Sequence, residues 1–127
     1  MPRASVQFKG PFFEAAARNR VLRDLERDIR DDVARESVNL VQLLLDAVLR
    51  HPTGYYRSRI RSDNTTTGAL VSDSNVIYGP WLEGVSRRNQ ETRFKGYFTF
   101  RRAGQILPEK AHAIARRHVT RAVMRLN

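Results

Sequence analysis

Glu83 is the one acidic residue of this chain in an unusual setting, within Tyr78-Gly79-Pro80-Trp81-Leu82-Glu83-Gly84, a turn of aromatic and conformationally restricted residues. A carboxylate so placed could act as a general base, but that task needs a second titratable group within hydrogen-bond reach. No such partner stands near it in sequence, and bonding to loop backbone or to a neighbouring arginine is the commoner use of such a group. His112 and His118 are six positions apart, on different sides of a helix, and cannot chelate one metal as residues four apart can. With three histidines and no cysteine, disulfides and thiolate metal sites are excluded. No phosphate loop, nucleophile elbow or dinucleotide fingerprint is present. The expectation is a protein that is not an enzyme and uses no metal or cofactor.

Basic residues are the other group that could do chemistry. Arg57, Arg59 and Arg61 alternate with Tyr56, Ser58, Ile60 and Ser62, which on a strand would place three guanidinium groups on one face. Arg93, Lys95, Arg101 and Arg102 interleave with Phe94, Tyr97, Phe98 and Phe100, a combination able to contact phosphates and stack on bases. The formal charge is +10, and it is unevenly placed: residues 1–50 carry nine bases against eight acids, residues 51–127 fourteen against five. Such an excess attracts nucleic acid through counterion release, or complements an acidic protein surface. Arginine far outnumbers lysine, which favours fixed, bidentate or stacked contacts. No helix-turn-helix, zinc finger or RNA-recognition signature accompanies the charge.

These groups must be held by few elements. A chain of 127 residues, 41% hydrophobic, has room for one domain with a modest core. Its N-terminus has no signal-peptide core, and no apolar run approaches the roughly 20 residues that span a bilayer, so no membrane partner is expected. From Phe12 to Arg50, Leu22, Leu25, Ile29, Val33, Ser37, Leu40, Leu44 and Val48 recur at helical steps. Pro11 suits the start, and His51-Pro52 with Gly54 the stop, giving a helix over 11–50. Unbroken, it would run about 58 Å, more than such a domain is wide. Some of it must project or bend, and the charged half, Arg18 to Glu36, is the better candidate to project, either solvated with pairs such as Glu26 and Arg30 or packed on a neighbouring subunit, while Leu40 to Leu49 is expected in the core.

A β-hairpin is expected over 55–78, with one strand at Tyr55 to Ser62 and a second from Ala69 to Tyr78 broken at Asp73-Ser74. Residues 79–104 read as a turn, with a short helical stretch at Trp81-Leu82-Glu83, followed by an aromatic basic arm. A last helix over 107–126 has Pro108 at its start and buries Leu107, Ala111, Ile114, Ala115, Val119, Ala122 and Leu126. The fold class is α+β: a long N-terminal helix, a small antiparallel sheet and a C-terminal helix packed on the sheet.

The order of parts resembles a known family. A long charged helix, an expected strand beginning Gly54-Tyr55-Tyr56-Arg57-Ser58-Arg59-Ile60, a second strand ending Val76-Ile77-Tyr78, then Gly79 to Gly84, an aromatic basic segment and a closing helix are similar to the tail-completion and neck proteins of long-tailed, non-contractile bacteriophages. That family includes the lambda-like minor tail protein Z. Its marker, tyrosine-alanine-x-aromatic-x-glutamate-x-glycine, is matched loosely by Tyr78, Trp81, Glu83 and Gly84. Gly79 replaces the usual small residue, the glutamate-to-glycine spacing is one shorter, and Arg93-Phe94-Lys95-Gly96-Tyr97-Phe98 replaces a proline-rich segment. Such departures fit a divergent branch like that of actinobacterial phages.

The resemblance implies a structural virion protein: a homo-oligomeric ring, expected as a hexamer, joining the head connector to the tail tube and passing DNA without reading its sequence. Its partners would be other copies, connector or stopper proteins, and tail terminator or tube protein, with the host cytoplasm as the place of assembly. On that reading Tyr78, Trp81, Glu83, Phe94 and Tyr97 are structural or subunit-interface anchors. Arg57, Arg59, Arg61, Arg101 and Arg102 face the lumen, its DNA or an acidic partner. A small basic DNA-binding protein, and an assembly chaperone absent from the finished virion, are the alternatives.

Overall fold

The structure, a computed structural model, describes residues 4–8, 20–49, 53–65 and 68–126. Its elements in chain order are β1 (Ser5–Phe8), α1 (Arg20–Val48), α2 (Tyr55–Ser58), β2 (Arg61–Asn64), β3 (Ala69–Ser72), α3 (Gly79–Glu83), α4 (Arg88–Glu91) and α5 (Thr99–Leu126). This is an α+β fold, with two long helices beside one small antiparallel sheet. No helix of the described residues is long and apolar enough to cross a membrane.

The sheet has the order β1-β3-β2, with both pairings antiparallel. Arg61 lies opposite Ser72 and Asn64 opposite Ala69 in the hairpin, while Ser5 lies opposite Ser72 and Phe8 opposite Ala69 on the other side. In this register Val6, Ser62 and Val71 share the face turned to the helices, as the two-residue side-chain period requires. Val71 and Ala69 are fully buried.

The helices run antiparallel, their seam closed by two apolar clusters. At one end Leu40, Val41 and Leu45 of α1 meet Phe100 and Ala103 of α5, together with Ala4, Tyr56, Ile60 and Val71. Further along, Ile29 and Val33 pack with Leu107 and Ile114. Each of the large apolar side chains contributes roughly 1.5–3 kcal/mol by leaving water. The described part of the charged half of α1 is therefore not a projecting arm, because α5 covers it. Even the Glu26–Arg30 pair, expected on a solvated face, has side chains only 11% and 19% exposed at 3.3 Å. Ser37 enters the core because its hydroxyl donates to the Val33 carbonyl at 2.6 Å.

Several expected boundaries are displaced. Residues 11–19 and the His51-Pro52 stop lie outside the described residues. Tyr55–Ser58 is a helical turn and not a strand: Gly54 precedes it at φ +86°, Ser58 Oγ donates to the Tyr55 carbonyl at 2.6 Å, and the Tyr56 ring turns into the core. The hairpin is accordingly Arg61 to Ser72. Asn75 to Tyr78 is a turn, with Ser74 and Asn75 both left-handed at φ +61°. β1 has no counterpart in the sequence reading. Finally α5 begins at Thr99, nine positions before Pro108, which lies inside the helix.

Pro108 removes one helical N–H and crowds the carbonyl four residues back, that of Gly104. Gly104 has a separate tertiary reason to lack a side chain, since a Cβ there would come within 3.3 Å of Val6. At the far end of the seam Asp32 Oδ2 and His118 Nε2 lie 2.6 Å apart. The hydrogen bond to His118 holds the Asp32 carboxyl below its ordinary value of 3.8 against the opposing effect of burial, and the charges of His118, Arg35 and Arg117 add to it. A depressed acid contributes stability that is present above the ordinary value and lost as pH falls through the folded one. Asp32→Asn should therefore be less stable than the parent by up to about 1 kcal/mol near neutral pH. Urea midpoints measured down a pH series should show the difference closing below 3.8; a constant difference would assign the effect to packing.

Candidate interaction surface

The segment around Glu83 is a knot of backbone, and its parts follow from local chemistry. Pro80, inside the first turn of α3, suits a helix start, and Gly84 ends α3 at φ +98° with its N–H donating to the Pro80 carbonyl at 3.0 Å. The chain then loops through α4 and comes back beside its own earlier pass: Tyr97 N–H donates to the Leu82 carbonyl at 2.7 Å and Phe98 N–H to that of Glu83 at 3.2 Å. Where the two passes cross, a Cβ on Gly96 would lie 2.2 Å from the Gly84 Cα, and one on Gly84 would lie 2.4 Å from the Lys95 carbonyl oxygen. Gly96 is itself left-handed, at φ +109°.

Glu83 is 6% exposed, and its carboxylate caps the long helix. Oε1 accepts the Phe100 N–H at 2.8 Å and Oε2 the Arg101 N–H at 3.0 Å. Both are first-turn donors that no helical carbonyl can satisfy. Burial pushes the carboxyl up from its ordinary range, and the two N–H groups and the Arg101 charge pull it back in part. Phe98, left-handed at φ +54°, turns the chain into the helix, and the Arg101 guanidinium sits 4.7 Å above its ring centroid.

Trp81, Phe94 and Tyr97 pack beside the knot, the first pair tilted with centroids 4.6 Å apart and the second edge to face at 4.8 Å. Arg88 covers the Trp81 ring at 5.4 Å. Asn89, buried, ties the loop: its Nδ2 donates to the carbonyls of Trp81 and Phe94 at 2.9 and 3.1 Å, and its Oδ1 accepts Ser86 N–H at 3.0 Å. Lys95 Nζ donates to the Asn89 carbonyl at 2.9 Å. Trp81, Glu83, Phe94 and Tyr97 are thus brought together. Tyr78 stands apart, its ring 5.7 Å from that of Tyr56.

The arginines do not form the expected row. Arg57 lies in α2 and bonds Asp46 at 3.1 Å, Arg59 follows the end of that turn, and only Arg61 is on a strand, where it pairs with Asp63 at 3.2 Å. Alternation at 55–61 means a strand only where the backbone is extended, and here it is not. Arg101 is stacked on Phe98, and Arg102 is exposed. Sequence reading missed Asn89, the crossing of Gly84 and Gly96, and the buried Asp73, whose Oδ2 accepts the Tyr56 hydroxyl at 2.9 Å and whose Oδ1 accepts Asn75 N–H at 3.1 Å. Burial and the neighbouring Asp73 carboxylate both push the Tyr56 hydroxyl far up. Asp73 also abuts Gly79, where any Cβ would collide with its carboxylate.

Among the described residues no three His, Asp or Glu side chains gather as metal ligands would. The polar groove between α1 and β2 is lined by Asp31, Arg35, Asn39, Ser62, Asp63 and Asn64, and two of its charges are already engaged, Arg35 with Asp32 and Asp63 with Arg61. Several large apolar side chains face outward. Ile77 is 96% exposed and flanked by exposed Tyr55 and Tyr78; Val119, Val123 and Met124 are exposed on the distal part of α5, although the helical stripe predicts burial for Val119.

Glu83→Ala strands two first-turn N–H groups and should cost about 2–3 kcal/mol, with the loss read as a lower denaturation midpoint. Gly96→Ala should cost as much, since backbone and not a flexible side chain stands in the way. Trp81→Ala should destabilise by about 2–4 kcal/mol. Trp81→Phe should be milder, because the indole N–H is buried without a partner among the described residues; equal losses for the two would show that the ring contact with Phe94 is not what Trp81 supplies.

Compared with protein-family models, with curated proteins and with solved structures, the chain matches none of them.

Proposed function

We propose that this chain is a structural subunit of a bacteriophage neck or tail, assembling with copies of itself into a ring between head connector and tail tube through which DNA passes. The observation that carries this reading is the amount of apolar surface left exposed on unlike parts of the fold, around Ile77, on distal α5 and at Leu43 on α1. Unlike surfaces on one subunit are what a heterologous, ring-closing contact uses. Apolar residues exposed in clusters mark contact sites more often than isolated ones do.

The buried polar groups support the same reading. Glu83, Asp73 and Asn89 each have both side-chain ends engaged with backbone or a tyrosine hydroxyl, which suits holding shape more than turning over a substrate. Family resemblance in the Tyr78 to Gly84 segment points the same way, and that segment is the knot that starts α5.

One observation favours a second reading, a small DNA-binding protein: α5 carries exposed Arg102, Arg116, Arg117 and Arg121 and only one acid, Glu109. Phosphate binding by such a face would fall steeply with salt. Native mass measurement of the purified chain, alone and mixed with connector and tube proteins, decides between them. The ring reading expects a discrete oligomer or a stoichiometric complex, and the chain's presence in purified particles. A monomer that ignores those partners but binds duplex DNA with a steep salt slope would establish the second reading.

A further inference from the structure

The basic residues of this chain fall into two groups. On α1, α2 and β2, the side chains of Arg27, Arg30, Arg35, Arg57 and Arg61 each form an ion pair with a carboxylate. Their charge is answered within the subunit. Around the knot it is not: Arg87 and Arg88 stand at the start of α4, Arg93 and Lys95 on the return pass, and Arg101 and Arg102 on the first turn of α5. All six are exposed, and among the described residues none is ion-paired. The span from Val85 to Arg102 holds a single acid, Glu91. Beneath it Glu83 is buried with both oxygens bonded to N–H groups of α5, so it supplies no outward counter-charge.

A solvated set of surface bases would be free to move, and several of these are fixed. Arg88 lies over the Trp81 ring at 5.4 Å and Arg101 over that of Phe98 at 4.7 Å, so each guanidinium is held against a ring before anything binds. Lys95 Nζ is anchored on the Asn89 carbonyl at 2.9 Å. The rings are themselves held, Trp81 by Phe94, and Phe98 by its close approach to Gly84 at the backbone crossing. Cations placed in advance lose less freedom on gripping an anion than mobile ones do.

The composition of this surface says which anion it suits. A protein partner buries apolar anchors, and of the large apolar side chains exposed on the described residues only Val85 belongs to the knot. A surface made of cations and polar groups is the character of nucleic-acid interfaces, and a guanidinium matches phosphate oxygens bidentately.

We propose that the knot and the first turn of α5 bind the phosphodiester backbone of a nucleic acid, without reading its bases, through Arg87, Arg88, Arg93, Lys95, Arg101 and Arg102. This assignment rests on the nucleic-acid reading above and deepens it by placing the contact at the knot instead of along α5. The surface is complete on each copy and needs no ring.

The test titrates the full chain, at several salt concentrations, with a fluorescent duplex and with a single strand of the same length, using polyglutamate as a competitor. Arg93→Gln combined with Arg102→Gln removes two exposed charges whose side chains neither hydrogen-bond nor stack within the described residues. The pair should weaken binding about tenfold and reduce the slope of log affinity against log salt by about two, with the thermal midpoint unchanged. Arg88→Lys combined with Arg101→Lys keeps the charge and loses the stacked guanidinium groups; it should weaken binding about threefold at an unchanged slope. Arg121→Gln, roughly 28 Å along the helix axis from Arg102, should change affinity less than about twofold. Binding of either nucleic-acid form supports the assignment, and the tighter one identifies the form bound. A loss for Arg121→Gln as large per charge as at the knot would overturn the knot as the site and leave the nucleic-acid reading standing. Polyglutamate that competes as well as nucleic acid of equal charge would overturn the assignment in favour of an acidic protein. No binding of either form at low salt would overturn both the assignment and the reading it rests on.

Discussion

The carboxylate of Glu83 on the first turn of α5 is the interaction from which the rest of the arrangement follows. It sets where a helix of 28 residues begins, and that helix supplies one side of both apolar clusters. The cap works only if the chain passes twice through one narrow place, and the contact of Gly84 with Gly96 is that place. Asn89 and the Trp81, Phe94 and Tyr97 rings then keep the intervening loop from opening. A buried carboxyl used in this way is not available for proton transfer. Both oxygens are occupied by backbone that must remain in place for the fold to exist.

The seam between α1 and α5 is the second constraint, and it explains why α1 need not project. An isolated helix with so many charges on one half would be marginal in water, and its stability comes from tertiary packing of its apolar stripe. Ile29 and Val33 find that packing on Leu107 and Ile114. Among the described residues, Lys110–Glu36 and Asp32–His118 link the two helices through polar side chains. Past that point α5 retains apolar residues without a described neighbour to cover them.

Much of this is legible in the residues. The period of Ile29, Val33, Leu40 and Leu44 identifies α1, and Gly79-Pro80 with Gly84 identifies the short turn of helix before the knot, because those signals are local. Glu83 stands out by its setting, though nothing near it in sequence names its partners, which lie 17 and 18 positions away. The same distance explains the misplaced start of α5. Pro108 is a good local start signal, and a tertiary cap outweighs it. Tyr55 to Ile60 alternates as a strand would, yet Gly54 and the bond from Tyr56 to Asp73 curl it into a helical turn. β1 is four residues whose pairing with β3 spans more than sixty positions, a contact that no window of local sequence contains.

The remaining feature is an asymmetry between inside and outside. Every elaborate polar arrangement described above, at Glu83, Asp73 and Asn89, is turned inward and committed to backbone or a buried hydroxyl. The outward surfaces are plain by comparison: isoleucine and tyrosines on a stiff turn, valines and arginines on a helix. The knot fixes the start of α5 and, through the helix, where Leu107 and Ile114 meet Ile29 and Val33.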